Sequence, residues 1–172
     1  NPRRYDLYSI GVDGTALVKL REDARDGSWS PDGSRILFAS GSDGDLDIYV
    51  VESTGGTPRQ LTNTPEMDYQ PAWSPDGRRI AFVSIPAGAG AKHDVHVMNA
   101  DGSGRRPLTE TPADEQVVSW AADSRSVVFG SMRDGNWEIY SVSAEGGEPR
   151  RLTNDPGSDA APAVSPDGKT IV

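Results

Sequence analysis

Three carboxylates two residues apart, Asp43, Asp45 and Asp47, stand in the stretch GSDGDLD. Alternating oxygen donors are how a calcium loop begins. A full loop also needs a glycine and a distal glutamate at set offsets, and both are missing here. The stretch therefore reads as two turn acids followed by the acid that opens a strand, and no metal is expected. The two histidines, His93 and His96, differ in setting. His96 takes the place that Tyr8, Tyr49 and Tyr140 hold in related segments, a packing slot, whereas His93 stands in a long loop as a lone polar contact. The chain has no cysteine, which removes disulfides, thiolate ligands and a cysteine nucleophile. No G-x-S-x-G elbow occurs. GSG and GAG match a phosphate loop only in letters, because neither leads into a helix. Acids are numerous enough for a glycosidase pair, but abundance is not a constellation. The expectation is a non-enzymatic chain without a cofactor.

Contact chemistry remains. Acids, amides and aromatics gather in residues 41–47, 63–70, 85–94, 110–117, 131–138 and 154–161. The candidate partner-binding residues are Asp43, Asp45, Asp68, Tyr69, Gln70, His93, Glu115, Gln116, Trp137 and Asp159. Tyr69 and Trp137 are plausible anchors for a protein or peptide, or rings lying on their own sheet. Asp68, Glu115 and Asp159 precede the innermost strands, at a central opening or on a solvated rim.

These loops are set out by a repeat. Four segments align without gaps, DLYSIGVDGTALVKL, DIYVVESTGGTPRQL, DVHVMNADGSGRRPL and EIYSVSAEGGEPRRL. Between them recur WSPDGSRILF, WSPDGRRIAF, WAADSRSVVF and VSPDGKTIV. Trp29, Trp73 and Trp120 stand 44 and 47 residues apart, the period of propeller blades. Runs such as RIAF and DIYV carry β-branched and aromatic residues between turn clusters, so they read as strands. In SPDG, proline presets φ, aspartate tolerates the next position and glycine takes the left-handed one. Each unit reads as four antiparallel strands, for example PAW, RIAF, DIYV and RQLT, with no helix. The recurring tryptophans are assigned to the core. A blade alone cannot bury both faces, and repetition lets each bury one against the next. In this strand order the SPDG and GG turns share one rim and the variable loops the other.

The alternation of W-S-P-D-G-x-x-I-x-F with D-I-Y-V…G-G-x-P-x-x-L-T resembles the PD40 or TolB-type β-propeller repeat, over essentially the whole chain. Members of that family include the periplasmic TolB protein, propellers attached to serine peptidases, carbohydrate-active proteins and extracellular sensor regions. The resemblance implies an all-β propeller of four-stranded antiparallel blades, and leaves function to the grafted site. With the missing catalytic sets, it implies a protein- or peptide-binding scaffold in the periplasm or outside the cell. The alternative is an accessory substrate-binding or gating propeller of a larger enzyme. The third unit departs from the pattern, with Ala121, Ala122 and Ser124 where the others have Ser, Pro and Gly, so its turn is expected to differ in shape.

Net charge is −9, which disfavours binding to a nucleic-acid backbone. No run of apolar residues reaches the length of a membrane span. Gly and Pro total 19 and 13, spaced as turns and not as disorder. The chain opens at Asn1 with no initiator methionine or secretory pattern, and reads as a mature, trimmed or partial product. Residues 1–172 form one propeller domain, or four blades of a larger one. DLYSI at one end and KTIV at the other complete a fourth blade if paired. Three closures satisfy that pattern: a four-bladed ring, a homodimer of eight blades, or membership of a larger propeller.

Overall fold

Alternating apolar and polar residues bounded by glycine and proline give short strands throughout. The computed structural model describes residues 5–42, 45–88 and 90–172. Among them all regular structure is β. Strands β1 (Leu7–Ser9) and β2 (Val18–Arg21) form a two-stranded antiparallel sheet. Blade I contains β3 (Ala24–Trp29), β4 (Arg35–Ser42), β5 (Asp45–Glu52) and β6 (Arg59–Gln60). Blade II contains β7 (Met67–Trp73), β8 (Arg79–Ile85), β9 (Asp94–Asn99) and β10 (Arg106–Pro107). Blade III contains β11 (Glu115–Trp120), β12 (Ser126–Ser131), β13 (Glu138–Ser143) and β14 (Arg150–Arg151). Each blade is an antiparallel sheet in chain order, and a bridge between Val164 and Ile171 marks the start of another. The all-β, bladed architecture matches the sequence reading. The first strands β3, β7 and β11 lie side by side on the inner edge.

The register places the two kinds of loop at opposite ends of β4. Trp29 faces Ile36 beside the SPDG turn, while Ser42 faces Asp45 at the variable rim. The turn is held by its own side chains. Ser74 Oγ donates to Asp76 Oδ1 at 2.6 Å and accepts the Arg79 N–H at 2.9 Å. Ser30 with Asp32 and Ser165 with Asp167 repeat the bond at 2.6 and 2.7 Å. Gly77 takes φ +69°, open to glycine at little cost. Ser124 holds the same position at φ +61° and its N–H still donates to the Ala121 carbonyl at 2.9 Å, as in the other turns. The expected change of turn shape is therefore not found. The serine is retained with a use: its Oγ accepts the Asp76 N–H of the neighbouring turn at 3.0 Å.

Cores form between blades. Leu37, Ile48 and Val50 of blade I meet Trp73, Ile80, Phe82 and Met98 of blade II. Ala81, Val95 and Val97 of blade II meet Trp120, Val127, Phe129 and Tyr140 of blade III. Trp73 and Trp120 are each 6% exposed, but Trp29 is 54% exposed. Its assignment to the core is corrected: the β1–β2 sheet lacks the first two strands of a blade, the floor on which a tryptophan of this repeat rests. β1 pairs with β2, Val164 bridges Ile171, and no ladder between them occurs among the described residues.

Candidate functional site

The acid that opens every third strand clamps its own blade. Ile48 N–H donates to Thr62 Oγ1 at 2.9 Å, and Thr62 Oγ1 donates to Asp47 Oδ1 at 3.1 Å. The same triad joins Val95, Thr109 and Asp94, and again Ile139, Thr153 and Glu138, with the last threonine 2.6 Å from its acid. The threonine stands fifteen residues after the acid, the next letter beyond the recurring leucine.

A second acid meets this triad from the following blade. Asp68 and Glu115, both placed on the binding surface by the sequence, are completely buried. That assignment is corrected. Asp68 Oδ1 accepts from Arg105 Nη2 at 3.1 Å, and the same nitrogen reaches Ser84 Oγ and the Glu66 carboxylate. Glu115 Oε1 accepts from Arg133 Nη2 at 2.5 Å. Arg105 lies over Phe82 and Arg133 over Phe129, at 5.7 and 5.8 Å from the ring centres. Two arginines from different loops thus bring a guanidinium to equivalent places, because a buried carboxylate there needs a countercharge. Blade I carries Ala24 at that position. Burial pushes Asp68 and Glu115 above the ordinary carboxylate range, against the pull of their hydroxyl and arginine partners. Thr62, which donates to Asp47, also favours the charged form of Asp68. These acids join blades and are closed to a partner.

The remaining candidates lie above that seam. Tyr69 Oη is 2.9 Å from His93 Nδ1, with the rings edge to face at 6.1 Å. Burial, with Asp26 and Asp114 close by, pushes the Tyr69 phenol up to about 12. The Lys92 ammonium holds Asp114 at 2.7 Å, tying the loop beside His93 to the next blade. Gln70 also bridges blades: its N–H donates to Asp26 Oδ2 at 3.2 Å, and its Oε1 accepts the Val117 N–H at 3.1 Å. Asp26, Gln70, Val117 and Ala161 stand three residues before the tryptophan position and share a left-handed φ of 57°, 51°, 47° and 55°. One position earlier stand Arg25, Tyr69, Gln116 and Ala160, the first three at a bulge of their strand pair. Identical backbone thus presents a cation, a phenol, an amide and a methyl group in turn around the inner rim.

Trp137 and Asp159 meet through the main chain, the Asp159 N–H donating to the Trp137 carbonyl at 2.7 Å. The Trp137 ring lies over Gly130, where a Cβ would come within 3.5 Å, so the ring rests on its own blade with part of its surface open. Gln116 is half-buried, Asp45 is exposed, and Asp43 lies outside the described residues. His96 fills the predicted ring slot, 5.5 Å from Phe82, and burial pushes its imidazole down to about 4. Among the described residues no group of three or more His, Asp or Glu side chains is arranged to hold a metal. Arg105, Arg133 and Asp26 were missed in the sequence. The charge of Asp68 and Glu115 was the signal for the two arginines. Asp26 carries no signal apart from its register with Gln70.

Known proteins share this architecture. A family described as the TolB beta propeller domain (PD40) matches residues 14–91 and again residues 87–172. The uncharacterized peptidase YuxL of Bacillus subtilis (strain 168) is 32% identical over 148 residues, 86% of this chain and 21% of that protein. The crystal structure of TolB from Acinetobacter baumannii superposes with a TM-score of 0.84 at 24% identity, covering 97% of this chain and 42% of that one. Putative TolB from Agrobacterium tumefaciens gives a TM-score of 0.75 at 26% identity, over 96% of this chain and 68% of that one. The chain thus spans about a fifth of the peptidase relative and less than half of the Acinetobacter TolB.

Proposed function

The chain belongs to the TolB β-propeller family, and from that premise we propose that it is a non-catalytic scaffold that binds a protein or peptide at its variable rim, outside the cytoplasm. One observation carries the reading. The rim varies in chemistry, through Arg25, Tyr69, Gln116 and Ala160, where the backbone beneath it does not. Repetition is kept where blades pack and abandoned where a ligand would touch. Tyr69 is the expected anchor: a half-buried ring, oriented by His93 and flanked by Asp26 and Asp114, loses little freedom on binding. Gln70 and Gln116 supply amide contacts beside it, and Asp45, Trp137 and Asp159 extend the surface toward blades I and III. The acids suit a basic or polar segment.

The test is a selection of binders from a random peptide library on the purified chain, mapped by amide shifts. Selected peptides should perturb Tyr69, Gln70 and Gln116. Their affinity should fall by about 2 kcal/mol in Tyr69→Ala if the ring is a buried anchor. Binders that map to the SPDG rim, or that ignore Tyr69→Ala, would refute the assignment. A second reading has one support, the 32% identity to a protein named as a peptidase. In that reading the propeller gates or holds substrate for a catalytic domain. Sequence-selective peptides favour the scaffold, and capture of short peptides regardless of sequence favours the accessory role. Peptide hydrolysis by the purified 172-residue chain would sink both.

A further inference from the structure

The three triad acids differ in what answers their charge. Glu138 accepts from Thr153 Oγ1 at 2.6 Å and from Arg151 Nη2 at 2.7 Å, so both its oxygens have donors and one donor is a cation. Arg151 stands thirteen residues after its acid. At the same place after Asp47 stands Gln60, and after Asp94 stands Pro107. Gln60 gives Asp47 a neutral amide, Nε2 to Oδ2 at 2.8 Å, and proline has no donor to give. Asp94 accepts from the Thr109 hydroxyl and the Thr111 N–H at 3.5 and 3.4 Å. Among the described residues no lysine or arginine pairs with Asp47 or Asp94.

Across each of these two seams a second carboxylate deepens the shortage. Thr62 and Thr109, which serve Asp47 and Asp94, also stand beside Asp68 and Glu115. Arg133 answers Glu115, while Arg105 is shared between Asp68 and the Glu66 carboxylate, which opens to solvent. Each seam is thus short of one positive charge. Asp68 and Glu115 are completely buried, and Asp68 Oδ2 and Glu115 Oε2 meet no donor. A buried charge is paired with an opposite one or holds a cation. We propose that each seam binds one monovalent alkali cation, sodium or potassium, between its triad acid and its inner acid. In the first seam the ligands are Asp68 Oδ2, the Asp47 carboxylate and Thr62 Oγ1. In the second they are Glu115 Oε2, the Asp94 carboxylate and Thr109 Oγ1. The threonine suits this place. Thr62 Oγ1 gives its proton to Asp47 and takes the Ile48 N–H on one lone pair, which leaves the other lone pair for an ion. Carboxylate and hydroxyl oxygens favour a hard cation. Calcium takes about six to eight oxygen ligands, rich in carboxylates. Among the described residues no third acid joins either pair, so a single charge fits better than a double one.

The test is urea unfolding of the whole chain at about pH 8, where free carboxylates are ionised, in potassium, sodium and tetramethylammonium chloride at equal ionic strength. The alkali salts should raise the midpoint saturably, as a ligand of the folded state does, and the bulky tetramethylammonium ion should not. Gln60→Arg gives the first seam the cation that Arg151 gives Glu138, and Asp94→Asn removes the charge from the second. Each variant should lose about half of the alkali-specific rise, and the double variant all of it, since the two seams are separate sites. If the double variant folds poorly, the partial loss in Gln60→Arg alone decides. Thallium(I), a heavy stand-in for potassium, should show anomalous scattering at both seams in crystals of the unsubstituted chain. Equal midpoints in the three salts would overturn the proposal, and so would an alkali-specific rise that either substitution leaves whole. A midpoint indifferent to the salt that climbs only as pH is lowered would assign the missing charge to a proton, and would overturn it as well.

Discussion

Arg133 sits with its guanidinium between the fully buried Glu115 carboxylate and the faces of Phe129 and Tyr140. Removing it strands a buried charge. Arg133→Met should cost about 3 kcal/mol in urea unfolding, and Arg133→Met combined with Glu115→Leu should recover much of that loss. The seam acids also set a pH dependence. Burial holds Asp47, Asp68, Asp94 and Glu115 above the ordinary carboxylate range. A raised carboxyl binds its proton more tightly in the folded chain than in the unfolded one. Its contribution is therefore complete at low pH and is lost as pH rises through the folded value. Turn acids such as Asp76 and Asp101, held low by hydrogen bonds, act oppositely and withdraw support as pH falls through the carboxylate range. The urea midpoint should rise as pH falls from neutrality toward the carboxylate range and fall again below about pH 4, where the turn acids take up protons. Asp94→Asn should shrink that rise.

Turns and strands answer to a different set of changes. The SPDG element closes through a serine that both donates and accepts, and Ser74 is fully buried. Ser74→Ala should cost roughly 1–3 kcal/mol, since it leaves the Arg79 N–H and Asp76 short of a partner. The Ser124 turn tests the balance of strain against contact. Ser124→Gly relieves the left-handed φ, worth about 1 kcal/mol, and loses the bond from Asp76, worth about as much. Ser124→Ala loses the bond and keeps the strain. Chemical denaturation should therefore find the glycine variant near wild type and the alanine variant about 1 kcal/mol below it.

At the level of the assembled blades, the tryptophans carry the coupling. Trp120 lies under Arg79, donates through Nε1 to the Ala72 carbonyl at 3.0 Å, and is 6% exposed. Trp120→Ala should cost about 3–5 kcal/mol and broaden the unfolding transition, because nearest-neighbour seams make a repeat protein cooperative. Trp29→Ala, at a site half open to solvent, should cost far less under the same denaturation. Equal losses at the two sites would contradict the difference in burial between them.

Much of this was readable along the chain because it is local. A Ser-Pro-Asp-Gly turn closes within its own letters, so the blade period, strand order and placement of the two rims followed from spacing and turn chemistry. The slot of His96 was legible too, since strand alternation aligns it with Tyr49 and Tyr140. The reading failed where the answer depended on distant residues. Asp68 and Glu115 look like rim acids, yet their register turns them into a seam, where Arg105 and Arg133 approach from 37 and 18 residues away. The charge of each acid calls for a cation, but nothing near it in the sequence says which arginine answers. Trp29 is written like Trp73 and Trp120, but burial belongs to a pair of sheets and not to a residue, and its opposing sheet has two strands instead of four. The contact between Tyr69 and His93 has the same origin, since a residue of β7 and a loop residue 24 positions on meet only after β7 and β8 have paired.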